Sequence, residues 1–169
     1  MTKRDLFFYV VGSTAFFIVG PCIMLVLKHF FSAPFLPDTT FMPVVGYVMC
    51  ALGAFFAVWS NVELVRVGKG CAGVIGPVKL MTETKHLVTS GPYALCRNPM
   101  HLGVILFYLG LACVINSLAS LVVPLGMIIF AFSVAVLFDE KRLMRDFPDE
   151  YAQWSAQVPR FIPRLGLFK

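Results

Sequence analysis

Charge is scarce in this sequence. Only 14% of its 169 residues are Asp, Glu, Lys or Arg, while 59% are hydrophobic and the mean hydropathy is +0.82. That balance excludes an ordinary soluble domain. Metal-ligand spacing is missing as well: the five cysteines form no CxxC and no Cys/His pattern, so no metal is expected. Cys22, Cys50 and Cys113 fall inside apolar runs, and Cys71 and Cys96 fall on the side that charge placement assigns to the reducing cytoplasm, so no disulfide is expected either. No run of basic residues interleaved with aromatics occurs, which argues against a nucleic-acid partner. Internal repeats and low-complexity segments are absent, and the length suits a single domain over 1–169.

The chain does have four apolar runs, Leu6–Leu27, Met42–Val65, Pro99–Ile115 and Leu118–Phe138, of 22, 24, 17 and 21 residues. A hydrocarbon core of about 30 Å takes about 20 helical residues. Three runs are long enough and the third barely so. The expectation is an all-α integral membrane protein with four spans, at about 6–27, 42–65, 99–115 and 118–138. The first run exceeds the roughly 7–15 apolar residues of a signal peptide, and no small-residue cleavage site follows it.

Charge placement predicts the orientation. With the N-terminus in the cytoplasm, four crossings leave thirteen of the fourteen Lys and Arg residues inside and only Lys28 outside, as the positive-inside rule requires. Both termini are then cytoplasmic, in the inner membrane of a prokaryote or the endoplasmic reticulum of a eukaryote. The net charge of +5 suits anionic lipid at that face. Gly46, Gly53, Gly103 and Gly110 permit close helix approach, within one bundle or between protomers of a homo-oligomer.

The outer connections are short: 28–41 is one Pro-containing loop, and Asn116-Ser117 is a tight turn that makes spans three and four a helical hairpin. Most of the remaining chain lies inside. Residues 66–98 hold five glycines and two prolines, and a connection this much longer than about 12–15 residues is usually functional or disordered. Its "KHLVTSGPYAL" is apolar enough to pack. After the fourth run, Leu143, Met144 and Phe147 succeed Glu140 at helical spacing, so that helix continues past the membrane. Pro148, Asp149 and Glu150 read as the first turn of another helix. Its Tyr151 and Trp154 fit either an interfacial aromatic anchor or a packed site.

Polar groups stand out against this background. Arg97 and Asn98 precede Pro99, which opens the third span, and a helix start favours an anionic group. His101 is one turn further in. Asp139 and Glu140 come directly after the fourth run, where acids are costly unless paired. Arg142 at i+3 from Asp139 offers a local ion pair, and a ligand cation offers another partner. Glu63 sits near the inner end of the second span.

The string "KHLVTSGPYALCRNPMHLG", succeeded some forty residues on by "DEKRLMRDFPDEYAQW" and "VPRFIP", resembles the isoprenylcysteine carboxyl methyltransferase family. More broadly it looks like the integral membrane methyltransferases that include phospholipid N-methyltransferases. The pattern is approximately L-V-T-x-G-x-Y, then R-(H/N)-P-x-Y-x-G, then an acidic pair with F-G-x-E-Y and a V-P-R-like ending. It covers roughly Arg66 to Pro163. The sequence departs from it at His101, where tyrosine is usual, at Pro148, where glycine is usual, and at Asn98, where histidine is commoner. It also lacks, within Ala131–Glu140, the arginine that isoprenylcysteine enzymes carry for the substrate about one turn before the acidic pair.

The resemblance implies a cytoplasmic-facing pocket for S-adenosylmethionine, formed by the long connection with the third and fourth helices. His86, Leu87 and Val88 would line the adenine end and Tyr93 would pack on the cofactor. Arg97, Asn98, Pro99 and Met100 would form the next wall, and Asp139 or Glu140 would hold the cationic amino group. Arg97, His101 and Glu140 are the candidate catalytic residues. His101 or Glu140 would act as base where the acceptor is an amine or a thiol, whereas a carboxylate acceptor needs none. The partner implied is a lipophilic small molecule or membrane lipid arriving through the bilayer. The alternatives are phospholipid amine N-methylation, a nicotinamide-dependent reductase of the sterol type and a non-catalytic membrane module.

Overall fold

The computed structural model describes residues 2–37, 39–72, 74–75 and 78–163. Arg164 and Lys169, two of the expected inner charges, lie outside the described residues. So do Asp38 of the first connection and Gly73, Gly76 and Pro77 of the long one.

Among the described residues, three helical segments are long and apolar enough to cross a membrane: Lys3–Phe30, Phe41–Arg66 and Leu118–Asp146, of 28, 26 and 29 residues. These are the marks of a membrane protein. The third expected span forms an apolar helix of 17 residues, Pro99–Ile115. At 1.5 Å per residue that is about 25 Å, short of a hydrocarbon core of about 30 Å.

The first segment consists of α1 (Lys3–Thr14), a π turn (Ala15–Val19) and α2 (Gly20–Phe30). Pro21 explains how it is held. In the wider register the Gly20 N–H donates to the Ala15 carbonyl, five residues back. Pro21 comes next and has no N–H to give to Phe16. Tyr108, on α4 (Pro99–Ile115), replaces it: its hydroxyl donates to the Phe16 carbonyl at 2.8 Å. Gly20 leaves the room, since a Cβ there would collide with that hydroxyl.

α3 (Phe41–Arg66) and α4 make the most extensive helix pair. Gly46 faces Gly110, and a Cβ on either would come within 2.7 and 2.6 Å of the other's carbonyl oxygen. Gly53 and Gly103 face each other in the same way, at 2.6 and 2.7 Å. The two seven-residue glycine spacings therefore meet inside one chain, where bare backbone lets the axes approach. At the end of α4, Asn116 takes the left-handed conformation, with φ 48°. Its amide accepts from the Phe35 and Leu36 N–H groups and donates to the Leu36 carbonyl. The chain then turns through Leu118–Leu121 into α5 (Val122–Val134).

At the opposite end, side chains pin the 66–98 connection. Asp5 on α1 is fully buried; it accepts from Thr82 N–H at 2.8 Å and from the Thr82 hydroxyl, and caps its own helix through Thr2. Glu63 accepts the Ser90 hydroxyl at 2.6 Å. It lies beneath Gly91, whose φ of 59° favours glycine. The described part of this connection also holds a two-residue antiparallel ladder, β1 (Val74–Ile75) with β2 (Val78–Lys79), and a 3₁₀ turn over Gly91–Ala94.

From α5 the helix continues through a π turn (Ala135–Asp139) into α6 (Glu140–Asp146), and α7 (Pro148–Gln157) comes after it. The continuation past the apolar run is the one expected. Leu143 and Phe147 pack on a cluster of Val88, Tyr93, Tyr151, Trp154 and Val158. Tyr151 and Trp154 are 2% and 8% exposed, so these two aromatics belong to a packed core and are not a surface anchor.

Candidate functional site

α4 starts where the backbone is tied to the last described segment. The Arg97 and Asn98 N–H groups donate to the Pro159 and Arg160 carbonyls, and the Asn98 amide donates to the same Arg160 carbonyl. Pro99 comes next, at the first helical turn, where its missing N–H costs nothing. These bonds fix the direction in which Arg97, Met100 and His101 project.

They project into a cavity of about 400 Å³ enclosed by the long connection, α4, α5, α6 and α7, with Gly12 of α1 at its margin. Ligand pockets span roughly 300–1,000 Å³. One end is polar, with Thr84, His86, Arg97, Asn98, Asp139 and Arg142; His101 lies one turn into α4. Further along the helices the lining becomes apolar, with Val104, Met127, Phe130, Ala131 and Val134. Phe130 is 52% exposed on the outer face of α5, and a Cβ on Gly12 would meet nothing within 4 Å. The cavity lining thus includes positions that the chain leaves uncovered, at Gly12 and Phe130.

Successive helical residues point about 100° apart, so the acidic pair does not share a face, and a π turn sets which acid points where. The Glu140 N–H donates to the Ala135 carbonyl, five residues back. One extra residue in the turn rotates the succeeding residues by about 100° relative to α register. Asp139 lines the cavity. Glu140 faces elsewhere and accepts Arg160 Nε and a terminal nitrogen at 2.6 and 2.9 Å, a bidentate charge-assisted pair. Arg97 lies 3.4 Å from the same carboxylate and donates to the Tyr151 hydroxyl at 2.9 Å. Glu140 thus holds the last described segment against the start of α4.

The other sequence-predicted residues sort cleanly. Leu87, Val88 and Tyr93 also line the cavity, with His86, Arg97, Asn98, Met100, His101 and Asp139. Pro99 and Glu140 do not. Sequence reasoning gave no site role to the other wall residues, Arg142, Trp154 and Gly12 among them. The pattern offers Arg142 a local pair with Asp139 and Trp154 an interfacial place, while Gly12 carries no chemical signal. Trp154 donates its indole N–H to the Tyr93 carbonyl at 3.3 Å.

Polar atoms remain unspent at the polar end. Among the described residues, the Nε atoms of Arg97 and Arg142 are buried without a hydrogen-bond partner. The Arg142–Asp139 contact is a loose 4.0 Å, with both side chains about four-fifths buried. Burial, with the nearby Asp139 charge, pushes the Tyr93 phenol above its usual range, and burial pushes the Cys96 thiol up to about 11. Both stay neutral near pH 7. Among the described residues no three His, Cys, Asp or Glu side chains come together as a metal site.

A family model described as phospholipid methyltransferase matches residues 41–150. The chain is also similar to a cobalt-zinc-cadmium resistance protein of Cupriavidus metallidurans, 38% identical over 110 residues, which are 64% of this chain and 49% of that protein. A nickel-cobalt-cadmium resistance protein of Alcaligenes xylosoxydans xylosoxydans is 28% identical over 87 residues, 52% of this chain and 40% of that protein. The matched region spans half or less of the length of these relatives.

Proposed function

We propose, from the premise that the chain belongs to the phospholipid methyltransferase family, that it moves a methyl group from S-adenosylmethionine to a lipophilic acceptor. The observation that carries this reading is a cavity with a charged end and an apolar end; acceptor entry is assigned to the gap between α1 and α5, beside Gly12 and the half-exposed Phe130. A charged, water-soluble donor and a lipid-soluble acceptor need such a meeting place. S-adenosylmethionine, when bound, supplies an electrophilic methyl on a sulfonium.

The donor set fits that group. Asp139 suits its cations, and His86, Leu87, Val88 and Tyr93 suit its nucleoside. Methyl transfer is an in-line displacement, so holding two reactants in line and excluding water supply much of the rate. A carboxylate acceptor needs no base. An amine or thiol acceptor must lose a proton, and His101, at the junction of the two ends, is the residue to take it. Four crossings with both termini in the cytoplasm complete the proposal, with the 17-residue α4 buried among longer helices.

S-adenosylhomocysteine is expected to raise the melting temperature of the purified protein, because a ligand that binds only the folded state stabilises it. Reduced nicotinamide cofactor is expected to have no effect. Stabilisation by the nicotinamide alone would overturn the proposal in favour of a reductase. Transfer of labelled methyl from S-adenosylmethionine into a lipid extract then identifies the acceptor, and binding without any transfer would point to a non-catalytic module.

A further inference from the structure

We infer that Arg142 is a ligand-binding residue of the cavity that receives a carboxylate, and that with Asp139 it clamps the α-amino-acid end of the methyl donor. The inference rests on the proposed methyl-donor reading.

Arg142 combines three properties that a surface arginine lacks. It lines the cavity. Its side chain is only 17% exposed. Its Nε is buried with no hydrogen-bond partner among the described residues. A guanidinium presents its donors as a planar fork that matches a carboxylate, and a buried donor left unmade is costly. Asp139 does not fill that fork, since its oxygen stands 4.0 Å from a terminal nitrogen, beyond hydrogen-bond length. Arg160 shows the contrast within the same chain, with two contacts of 2.6 and 2.9 Å to Glu140. Arg97 is already engaged by Tyr151 and Glu140.

An α-amino acid carries an ammonium and a carboxylate on one carbon. Asp139 and Arg142 are three residues apart, which places them as neighbours along one helix. The ammonium meets Asp139, the carboxylate meets Arg142, and the loose pair opens to admit both. An acceptor ending in a carboxylate offers Arg142 the same chemistry from the apolar end.

The test uses the full chain in phosphatidylcholine nanodiscs and four probes. S-adenosylhomocysteine carries the amino-acid end, and 5′-methylthioadenosine keeps the nucleoside without it. Palmitate carries a carboxylate on an apolar tail, and hexadecanol lacks it. In Arg142→Gln, affinity for S-adenosylhomocysteine is expected to fall about tenfold or more and that for 5′-methylthioadenosine to stay within about twofold. Loss confined to palmitate, with hexadecanol and S-adenosylhomocysteine unchanged, keeps Arg142 as the carboxylate residue and moves the source to the acceptor. Equal losses for both nucleosides, or no loss for any probe, overturns the inference. Should Arg142→Gln not fold, Arg142→Lys keeps the charge without the fork, and unchanged binding of both carboxylates to it overturns the inference as well. A wild-type protein that binds no S-adenosylhomocysteine refutes the methyl-donor reading instead, and the palmitate arm still tests Arg142.

Discussion

Asp139 and Glu140 are adjacent acids with different partners, and mutation should separate them. Asp139→Asn removes a charge from the cavity wall while leaving Arg142 only a distant contact to lose. Its melting temperature without ligand is expected to stay close to wild type, and its stabilisation by S-adenosylhomocysteine to vanish. Glu140→Gln leaves Arg160 and Arg97 without their carboxylate. Stability is expected to fall by about 1.5–3 kcal/mol, the scale of hydrogen bonds to charged groups, as read by thermal or denaturant unfolding. Cys96 gives a pH test. It is fully buried and its thiol pKa is raised to about 11, so it stays protonated throughout the neutral range and thiolate appears only as pH approaches that value. A maleimide at neutral pH is expected to leave it unmodified in the native protein and to label it after unfolding, as mass spectrometry of the peptide will show.

At the scale of elements, packing is decided by where side chains are missing. Gly53 and Gly103 hold α3 and α4 at backbone contact, so a side chain there must push the helices apart. Gly53→Val is expected to destabilise the protein by about 1–3 kcal/mol, the usual penalty for overpacking. Gly126→Ala on α5, where a Cβ would meet nothing within 4 Å, is the matched control and should be close to neutral. The two π turns belong to this scale too. Neither is encoded by a distinctive residue pattern, although Pro21 marks the first. The second, at Ala135–Asp139, has no Gly or Pro inside the turn, and nothing in its sequence announces which acid will face the cavity.

For the whole molecule, two experiments address orientation and access. In vesicles of known sidedness, a membrane-impermeant thiol reagent is expected to label Ser32→Cys from the outside and Gln153→Cys only from the cytoplasmic side. Labelling of both from one side would contradict the proposed placement of these two positions on opposite faces. Gly12 sits at the cavity margin with open space around it. Gly12→Phe is expected to raise the KM for the lipophilic acceptor while leaving S-adenosylhomocysteine binding unchanged. An unaltered KM would place acceptor entry elsewhere than between α1 and α5.

Length and apolarity of the helices come from composition alone, because burying a backbone in lipid requires continuous helix and apolar side chains. The sequence by itself therefore determined the membrane character, the helix boundaries to within a few residues and the family, whose motif residues fall in a few short strings. Contiguity also made one stretch of the cavity wall legible, from His86 to His101. Only the tertiary structure decided the features that depend on direction and distance. It set which acid faces the cavity, that Glu140 is committed to Arg160 twenty residues away, that Tyr108 caps a carbonyl 92 residues earlier, and that the four glycines meet each other. A side chain's partner across the bundle is set by helix rotation and register, and a single π turn of about 100° is enough to exchange a cavity-facing acid for a structural one.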